Sequence, residues 1–597
     1  MRMVGRIIRW FFTTVGVIVV ASIVSAAIWI TVLDDSKPDL PDRMVLSLRL
    51  NNGVVETRSG SPFALFDRGG PHTMREVLGA LQKAAADDRV VGIAVELGGT
   101  GVDVAQAQEL RDAMIKFRNA GKFAVAFADT FGTIRNGTIE YYLATAFDEI
   151  WMQPSGELAI TGLSVELPFA AEALDSIGVT AKFGQRHQFK SAPETFTRRS
   201  MSEPARRNLQ RLVNDWFDQV VDGVAEGRGL TRDATVAAVD ASPLLASEAQ
   251  GSKLIDTLGY WPAFEEAVET RSGNAADVSL RRYIAEGDMP HSKGPKVALI
   301  YGLGPIVAAK SSDPFDDGGY FAAYTAERAI LDAIDDDSVK AILLRVDSPG
   351  GSYVASDTVF NALMRARAKG KPVIVSMAGT AASGGYFVAM AADSVVAQAG
   401  TVTGSIGVYA GKFVTNELWS ELGVTWQSVS VGKHAEMWSP FRDYPPGAEA
   451  RLDAMLDFVY RDFTAKVADR RKLDAAQVDA AARGRIWTGK DAVEAGLVDK
   501  LGGLNVAIGV VKETLGLKPE DEIMLREFPK PRSPFERLVA AVADEEEDIG
   551  VVLVDLLGLR SVFSDVLRNR LGPIAKDLDV LRPPVGRLQM PPFRLRQ

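Results

Sequence analysis

An internal duplication constrains the fold of this chain of 597 residues more than any other feature. The segment DDRVVGIAVEL begins at Asp87, and DDSVKAILLRV begins at Asp336, an offset of 249 (336 − 87). AGKFAVAFADT contains Gly121 and KGKPVIVSMAGT contains Gly370, which gives the same offset (370 − 121). Matches that keep one order and one spacing indicate two copies of a single folding unit.

A third match defines the extent of the copies. TIEYYLATAFDEIW places Tyr141 where SGGYFVAMAADSVV places Tyr386, so the offset there is 245 (386 − 141) and a short insertion or deletion intervenes. We therefore predict two repeats, over residues 44–290 and 295–530. The length agrees, because domains of roughly 100–200 residues predict several units in such a chain.

Each repeat alternates short apolar runs with longer amphipathic runs. In the second repeat AILLRV and PVIVSMA are typical of strands buried on both faces, and YVASDTVFNALMRARAKG between them has helical spacing and a glycine stop. Repeated strand–helix units of this length predict a mostly parallel, right-handed α/β core. Residues 531–597 differ from both repeats: they are rich in proline and arginine and contain the acidic run DEEED and the amphipathic stretch VVLVDLLGLRSVFSDVL. We interpret them as a surface or assembly extension of unknown role.

The N-terminal 35 residues predict a membrane anchor. Residues 10–33 carry no charge, and as a helix they would extend about 36 Å at roughly 1.5 Å per residue, enough to cross a hydrocarbon core of about 30 Å. Three arginines precede the segment and Asp34 and Asp35 follow it, so the positive-inside rule places the N-terminus in the cytoplasm and both repeats outside. The alternative is a cleaved signal peptide, whose apolar region is shorter, roughly 7–15 residues.

Composition excludes several classes of function. The net charge of −10 and the isoelectric point near 5.3 argue against nucleic acid as a partner, since phosphate binding needs a basic face. The chain has no cysteine, which removes disulfides, thiol nucleophiles and cysteine metal sites. Its four histidines form no HExxH pattern, so we expect no zinc site, and no motif predicts a cofactor.

Three short motifs in the second repeat point to acyl-transfer chemistry. DSPGGS, residues 347–352, follows a predicted strand, and its paired glycines allow backbone N–H groups to approach an oxyanion. GTAASGGYF places Ser383 between a predicted strand and a predicted helix, where it is either a nucleophile or an N-cap. TVTGSIGV places Ser405 between glycines, where it either holds a catalytic amine or lies in a plain turn.

The order and spacing of these motifs resemble the signal peptide peptidase A family of membrane-bound Ser–Lys peptidases, in its long duplicated form. The resemblance covers the anchor and both repeats. It implies a tandem duplication of a Clp peptidase/crotonase-like α/β domain, preceded by one N-terminal transmembrane helix.

The general base is predicted from a comparison of the two repeats. A serine hydroxyl needs a partner to become nucleophilic, and no histidine lies inside the three motifs. In equivalent segments the first repeat has Lys190 and the second has Trp438, whereas Ser383 corresponds to about Thr138. The first repeat has kept a lysine and the second has kept a serine. This is the pattern expected if the two repeats share one catalytic dyad. The family resemblance carries the role of general base to Lys190.

The expected mechanism follows from these assignments. Lys190 must be neutral to act as a base, so its pKa must lie well below the usual value of about 10.4, and burial lowers it in that direction. Lys190 would deprotonate Ser383, and backbone N–H groups near Gly350, Gly351 and Gly384 would hold the oxyanion. Ser405 would orient the lysine.

The resemblance further implies the biological setting. Expected substrates are remnant signal peptides and similar apolar peptides, cut on the extracytoplasmic side of the inner membrane by a homotetramer. Two other readings remain: a crotonase-type enzyme acting on acyl thioesters, and a membrane scaffold whose active site has decayed. Neither the anchor nor the complementary loss of serine and lysine is explained by a crotonase-type enzyme.

Overall fold

The computed structural model describes residues 40–51, 53–58, 70–99, 101–286, 289–309, 319–530, 587–589 and 594–595. Residues 10–33, which carry the predicted anchor, lie outside these ranges, as does the amphipathic stretch of the extension at residues 551–567. Within the described ranges, no helix combines the length and the apolar character needed to cross a membrane.

The first repeat is built on a parallel sheet with the strand order β11-β6-β5-β4-β1-β12. Its strands are β1 (Met44–Arg49), β2 (Val54–Val55), β3 (His72–Thr73), β4 (Val90–Leu97), β5 (Phe123–Ala128), β6 (Glu149–Met152), β7 (Glu157–Leu158), β8 (Val165–Glu166), β9 (Thr180–Arg186), β10 (Leu244–Leu245), β11 (Thr257–Leu258) and β12 (Ala276–Ser279).

The second repeat contains the same parallel path, in the order β23-β19-β18-β16-β13-β24. Its strands are β13 (Lys296–Leu303), β14 (Ile306–Val307), β15 (Phe321–Ala322), β16 (Val339–Ser348), β17 (Gly350–Ser352), β18 (Val373–Ala382), β19 (Ser394–Ala397), β20 (Val402–Gly404), β21 (Val408–Val414), β22 (Ile486–Thr488), β23 (Lys500–Leu501) and β24 (Met524–Glu527). The equivalent order of strands confirms the duplicated α/β fold.

Helices cover the sheets, and their ends follow local sequence signals. Thr73 and Glu76 form a capping box at the start of α1, while the long helix α6 begins after the N-cap Ser202 and ends at Gly229 with a φ of 62°. The helices of the first repeat are α1 (Met74–Ala86), α2 (Val104–Asn119), α3 (Thr138–Ala144), α4 (Ala171–Ser176), α5 (Glu194–Thr197), α6 (Glu203–Arg228), α7 (Arg232–Ala241), α8 (Ala246–Gly251), α9 (Trp261–Ser272) and α10 (Leu280–Ala285). Those of the second repeat are α11 (Ala323–Asp335), α12 (Tyr353–Ala368), α13 (Gly384–Ala389), α14 (Asn416–Glu421), α15 (Ala448–Arg471), α16 (Ala475–Ala481), α17 (Gly489–Glu494) and α18 (Leu504–Thr514).

A third sheet joins the repeats and includes part of the C-terminal extension. Its order is β15-β14-β17-β25-β21-β9, where β25 is Arg587–Gln589. Strand β9 of the first repeat runs antiparallel to β21 of the second over seven residue pairs. The extension also forms β26 (Arg594–Leu595), which pairs with β8. The third sheet therefore contains strands from both repeats and from the C-terminal extension.

A buried ionic cluster also connects the repeats. Arg345 on β16 is fully buried, and its guanidinium donates two hydrogen bonds of 2.9 Å to the carboxylate of Glu56. The guanidinium also lies 2.7 Å from Glu109 on α2. A buried charge that loses its partners is costly, about 3–5 kcal/mol, so this cluster ties the second-repeat sheet to the first repeat.

Candidate active site

Ser383 lies at the junction of β18 and α13 in a strained backbone conformation. Its φ is +55° and its ψ is −112°, values that non-glycine residues rarely adopt and that cost on the order of 1–3 kcal/mol. The residue is fully buried, and it occupies the N-cap position of α13, yet its hydroxyl makes no capping hydrogen bond. The hydroxyl is therefore directed away from the helix backbone and toward another partner.

That partner is the amine of Lys190, which reaches Ser383 from the other repeat. The Lys190 Nζ lies 2.7 Å from Ser383 Oγ. Lys190 follows β9 and so enters the second repeat along the strand pair formed by β9 and β21. The side chain is fully buried, and burial lowers the pKa of the amine well below its usual value. No charged group in the described ranges contributes to that shift.

The neighbours of the Lys190 amine suit its neutral form. Besides Ser383 Oγ, the Nζ has two hydrogen-bond partners, the carbonyl oxygen of Ser405 at 2.9 Å and the Ser405 hydroxyl at 3.0 Å. A neutral amine has two N–H bonds and one lone pair. It can therefore donate both N–H bonds to Ser405 and accept the Ser383 proton with its lone pair, whereas an ammonium group has no acceptor. The geometry matches that of a base poised beside a hydroxyl.

Ser405 is held in position by a loop between α16 and β22. Its φ is +52°, and its backbone N–H donates a 2.6 Å hydrogen bond to the carbonyl of Arg485. In the same loop the Arg483 carbonyl accepts a hydrogen bond from the Phe189 N–H, and the Gly484 N–H donates to the Ile406 carbonyl. This loop therefore fixes both the segment that precedes Lys190 and the residues that surround its amine.

The predicted glycines lie where backbone segments approach closely. A Cβ added to Gly384 would lie 3.0 Å from the Gly351 nitrogen, and one added to Gly385 would lie 2.6 Å from the Ser348 carbonyl oxygen. Only glycine allows such an approach. The structure therefore brings Gly350, Gly351 and Gly384 together beside Ser383.

The three glycines differ in what their N–H groups do. The Gly350 N–H donates a 3.2 Å hydrogen bond to the Ser348 hydroxyl, so it is already engaged. Residues 350–352 form the short strand β17 rather than the plain turn that a Pro-Gly-Gly sequence suggests. Gly351 is paired with Ile306 of β14 and with Leu588 in the extension, and Gly384 is the first residue of α13. The role of all three glycines as oxyanion donors stays a prediction.

Sequence reasoning missed two supporting features of the site. Ser348 lies inside the first motif, and its hydroxyl donates a 2.7 Å hydrogen bond to the Gly304 carbonyl while accepting the one from Gly350. The loop at residues 483–485 is about 290 residues from Lys190 in sequence and belongs to no motif. The glycine at position 484 was the one local signal, and a single glycine does not reveal which segment packs against it.

The equivalent position in the first repeat has a different environment. Thr138 is buried, and its hydroxyl lies 2.6 Å from the Asn136 side-chain oxygen and 3.1 Å from the Gly162 carbonyl oxygen. Both partners are acceptors, so its single proton is committed to them rather than to a base. Within the described ranges, no group of three or more acidic or histidine side chains is placed to hold a metal ion.

The site thus offers a strained, buried hydroxyl, an amine within hydrogen-bond reach whose pKa is lowered by burial, and adjacent backbone N–H groups. These are the parts needed for nucleophilic attack on a carbonyl and for holding the resulting oxyanion. The same groups would act on the carbonyl of a peptide, an ester or a thioester.

Comparison with known proteins identifies the family. The sequence profile of peptidase family S49 matches residues 117–274 and again residues 365–518. The Clp protease profile matches residues 322–400. The double match corresponds to the two repeats of the structure.

Relatives of similar length show the same resemblance. The chain is 30% identical to Protease 4 of Salmonella typhi, with 83% of this chain and 82% of the relative covered. It is 27% identical to the chloroplastic serine protease SPPA of Arabidopsis thaliana, with 82% and 74% covered. A shorter match, 35% identical, covers 30% of this chain and 52% of a putative signal peptide peptidase SppA from Enterococcus faecium. The chain therefore belongs to peptidase family S49, and it is a serine protease with two copies of the family's domain.

Proposed function

We propose that this protein is a membrane-anchored serine endopeptidase whose catalytic dyad, Ser383 and Lys190, is shared between its two repeats. The observation that carries the proposal is the 2.7 Å contact between the Lys190 amine and the Ser383 hydroxyl. Burial lowers the pKa of this amine, and no charged group among the described residues opposes that shift, which favours the neutral lysine that a general base requires. The 2.7 Å distance joins two residues within one chain, which favours a dyad formed inside the chain rather than between subunits.

Catalysis begins when the Ser383 oxygen attacks the carbonyl carbon of a peptide bond and its proton passes to the Lys190 amine. The N–H groups of Gly351 and Gly384 hold the oxyanion, with Gly350 shaping the strand beside them. The ammonium of Lys190 then protonates the leaving amine as the C–N bond breaks. Water attacks the resulting ester, Lys190 accepts its proton, and the Ser383 hydroxyl is restored. The carbonyl and hydroxyl oxygens of Ser405 accept hydrogen bonds from the two N–H groups of the lysine and so orient its amine.

An extended peptide is the substrate that fits the third sheet. Strand β25 of the C-terminal extension lies between β17 and β21, antiparallel to both, with Gly350 paired to Gln589 and Gly351 paired to Leu588. The gap between these two strands is thus wide enough for one strand of polypeptide, next to the proposed oxyanion donors. We propose that substrates bind there by strand addition and that the extension competes with them.

The remaining parts of the proposal concern setting and assembly. Residues 1–35 would anchor the protein in the inner membrane as a single-pass protein, with the repeats on the extracytoplasmic side. The substrates would be cleaved signal peptides and similar apolar peptides, in keeping with the name of the Enterococcus relative. We propose a homotetramer that needs neither metal nor cofactor and does not bind nucleic acid.

Replacement of the proposed base should abolish turnover without unfolding the protein. We expect Lys190→Ala to lower kcat/KM on an apolar peptide by at least about 10³-fold, because the serine loses its proton acceptor. The matched control is Lys371→Ala, since burial also lowers the pKa of Lys371 and backbone carbonyls also hold its amine. Lys371 precedes the start of β18, whereas Ser383 follows its end. Peptide cleavage and thermal unfolding would be measured for both. Full activity of the Lys190→Ala variant would contradict the assignment of Lys190 and Ser383 as a catalytic dyad.

The pH dependence of cleavage should reflect the neutral form of Lys190. Because burial lowers its pKa, we expect log kcat/KM to rise with unit slope as the pH increases toward that pKa and to level off above it. Asp347 could contribute a second ionisation, since burial raises its pKa to about 7. The variant Asp347→Asn should keep the rising limb if Lys190 causes it. Loss of the limb in that variant would assign it to Asp347 instead.

Gly484, in the loop that holds Lys190, should be essential for activity. A Cβ at Gly484, whose φ is +85°, would lie 2.3 Å from the Lys190 nitrogen. We expect Gly484→Ala to displace the lysine and to lower kcat/KM by about 10²-fold or more, since small misplacements of catalytic groups are costly. Gly370→Ala is the control: its φ is +76°, but an added Cβ meets nothing within 4 Å. That variant should lose about 1–2 kcal/mol of stability and retain its rate constants. Equal activity losses in the two variants would contradict the steric argument.

Removal of the extension should open the substrate cleft. We expect deletion of residues 587–597 to lower KM for a short apolar peptide with little change in kcat, because a tethered strand competes at high effective concentration. Deletion of residues 590–597 is the control, because it removes β26 but keeps β25. An unchanged KM in the longer deletion would mean that the extension does not compete with substrate.

A further inference from the structure

An open cavity lies between helices α1 and α2 of the first repeat and helix α18 of the second. Its volume is about 770 Å³, which falls in the range of roughly 300–1,000 Å³ that is typical of small-molecule sites. Lys190 and Ser383 are not among the described residues that line it. The cavity is therefore separate from the proposed dyad and belongs to the junction between the repeats.

The buried part of the cavity lining, which we call the floor, is apolar. It consists of side chains from all three helices with exposed fractions of 0–4%, namely Leu78, Leu81, Phe117 and Ile508. Burial of apolar ligand surface against such a floor is favourable in proportion to the area that leaves water. The floor therefore favours a ligand with a hydrocarbon chain over a small polar molecule.

Helix α18 turns one face toward the cavity. Its lining positions 505, 508, 509, 512 and 513 lie at the three- and four-residue spacing of a single helix face. Gly509 is at the centre of this face, and a Cβ added there would meet nothing within 4 Å. Glycine inside a helix is destabilising relative to alanine, so Gly509 keeps the cavity wide at a cost to the helix.

The charged residues of the lining are mostly lysines. Lys116, Lys500 and Lys512 line the cavity together with a single acidic residue, Glu513. In the part of the chain that the structure describes, none of these lysines forms a salt bridge. The amine of Lys512 instead donates a 2.8 Å hydrogen bond to the Pro519 carbonyl. The cavity therefore offers positive charge that a bound anion can neutralise.

A buried imidazole in the lining lacks a hydrogen-bond partner. His291 is 8% exposed, and its Nδ1 has no partner among the described residues. Burial and the nearby charge of Lys512 lower the pKa of His291 to about 4, so the ring is neutral near pH 7 and has one N–H group to donate. Buried polar atoms are usually hydrogen-bonded, and an acceptor group on a ligand would satisfy this one.

The duplication shows that this lining is particular to the second repeat. Helix α9 is the equivalent of α18 in the first repeat, because the two helices begin 243 residues apart (504 − 261) and a glycine follows each of them at the same offset. At that offset three exposed glutamates of α9 are replaced by residues of the cavity lining: Glu265 by Ile508, Glu266 by Gly509 and Glu269 by Lys512. The replacements exchange an acidic face for an apolar and cationic one.

We infer that the cavity binds a fatty acid, with its acyl chain against the floor and its carboxylate near the three lysines and His291. The floor recognises the hydrocarbon chain, the lysines recognise the negative charge, and the imidazole supplies a hydrogen bond to a carboxylate oxygen. A ligand in this position contacts helices of both repeats, so its binding stabilises the junction between them.

A photoreactive fatty acid tests the site in the full-length protein. We expect a palmitate analogue with a diazirine in its chain, added to the protein in nanodiscs of a zwitterionic phospholipid, to label α1, α2 or α18. Mass spectrometry of the peptides identifies the labelled residues, and excess palmitate should suppress the labelling. The same analogue with an alcohol in place of the carboxylate should label at least about tenfold less, because the lysines have no charge to pair with. Equal labelling by the acid and the alcohol would overturn the inference.

A side chain added at Gly509 tests the location of the acyl chain. We expect Gly509→Leu to lower labelling by the palmitate analogue at least about tenfold, since the leucine takes the space of the ligand. The helix should remain stable, because leucine forms helices better than glycine. The control is Gly251→Leu in α8, where an added Cβ also meets nothing within 4 Å, outside the cavity. Thermal unfolding would be measured for both variants, and undiminished labelling of Gly509→Leu would overturn the inference.

Removal of charge tests the recognition of the carboxylate. We expect Lys116→Gln with Lys500→Gln to weaken labelling by the acid but not by the alcohol. Both side chains are exposed, so the fold should be unaffected. The control is Lys369→Gln with Lys433→Gln, a pair of exposed lysines outside the cavity lining. Unchanged labelling by the acid in the first pair would overturn the inference.

Two other occupants of the cavity would be recognised in the same experiment. Labelling that requires deletion of residues 531–597 would assign the cavity to the C-terminal extension. Labelling that requires dissociation of an oligomer would assign it to a second copy of the chain. Either result would overturn fatty-acid binding by the intact protein, and neither depends on peptidase activity.

Discussion

The burial of one amine without a counter-charge is the constraint on which this structure depends. Lys190 is fully enclosed, and no carboxylate in the described part of the chain compensates it. Enclosure destabilises the charged form of the amine and so lowers its pKa, and the neutral form that this favours can accept a proton. The enclosure requires both repeats, because the lysine comes from the first, and Ser383, Ser405 and the loop at residues 483–485 come from the second.

Duplication made this division possible. Two equivalent α/β units provide two potential sites, and each has diverged. The second repeat keeps a serine at a strained strand–helix junction with glycines packed around it. In the first repeat the equivalent hydroxyl, on Thr138, is bound to two fixed acceptors. The free energy stored in the strained Ser383 backbone is offset by the packing of the surrounding sheet and helix.

The relative position of the repeats is consequently as important as either fold alone. Strand β9 carries Lys190 into the second repeat through seven antiparallel pairs, and the buried cluster of Arg345 with Glu56 and Glu109 fixes the other side of the contact. The same sheet that aligns β9 also offers a strand-wide gap beside Gly350 and Gly351, where residues of the extension lie. A single sheet thus aligns Lys190, borders Ser383 and provides room for an extended chain.

The duplicated α/β fold, the family and the residues to consider could all be inferred from the amino-acid sequence. Periodicity and offset act along the chain, so the strands AILLRV and PVIVSMA and the helix between them can be read from the sequence. The same comparison of repeats selects Ser383 and Lys190, which the structure places in contact. Tertiary structure alone decided which backbone N–H groups are engaged, because the bond from Gly350 to Ser348 depends on a local geometry that no motif encodes. It also revealed the loop around Gly484 and the position of the extension. Both are contacts between segments far apart in sequence, and the physical reason is that such contacts are set by how packed elements meet, which leaves no periodic trace in either segment.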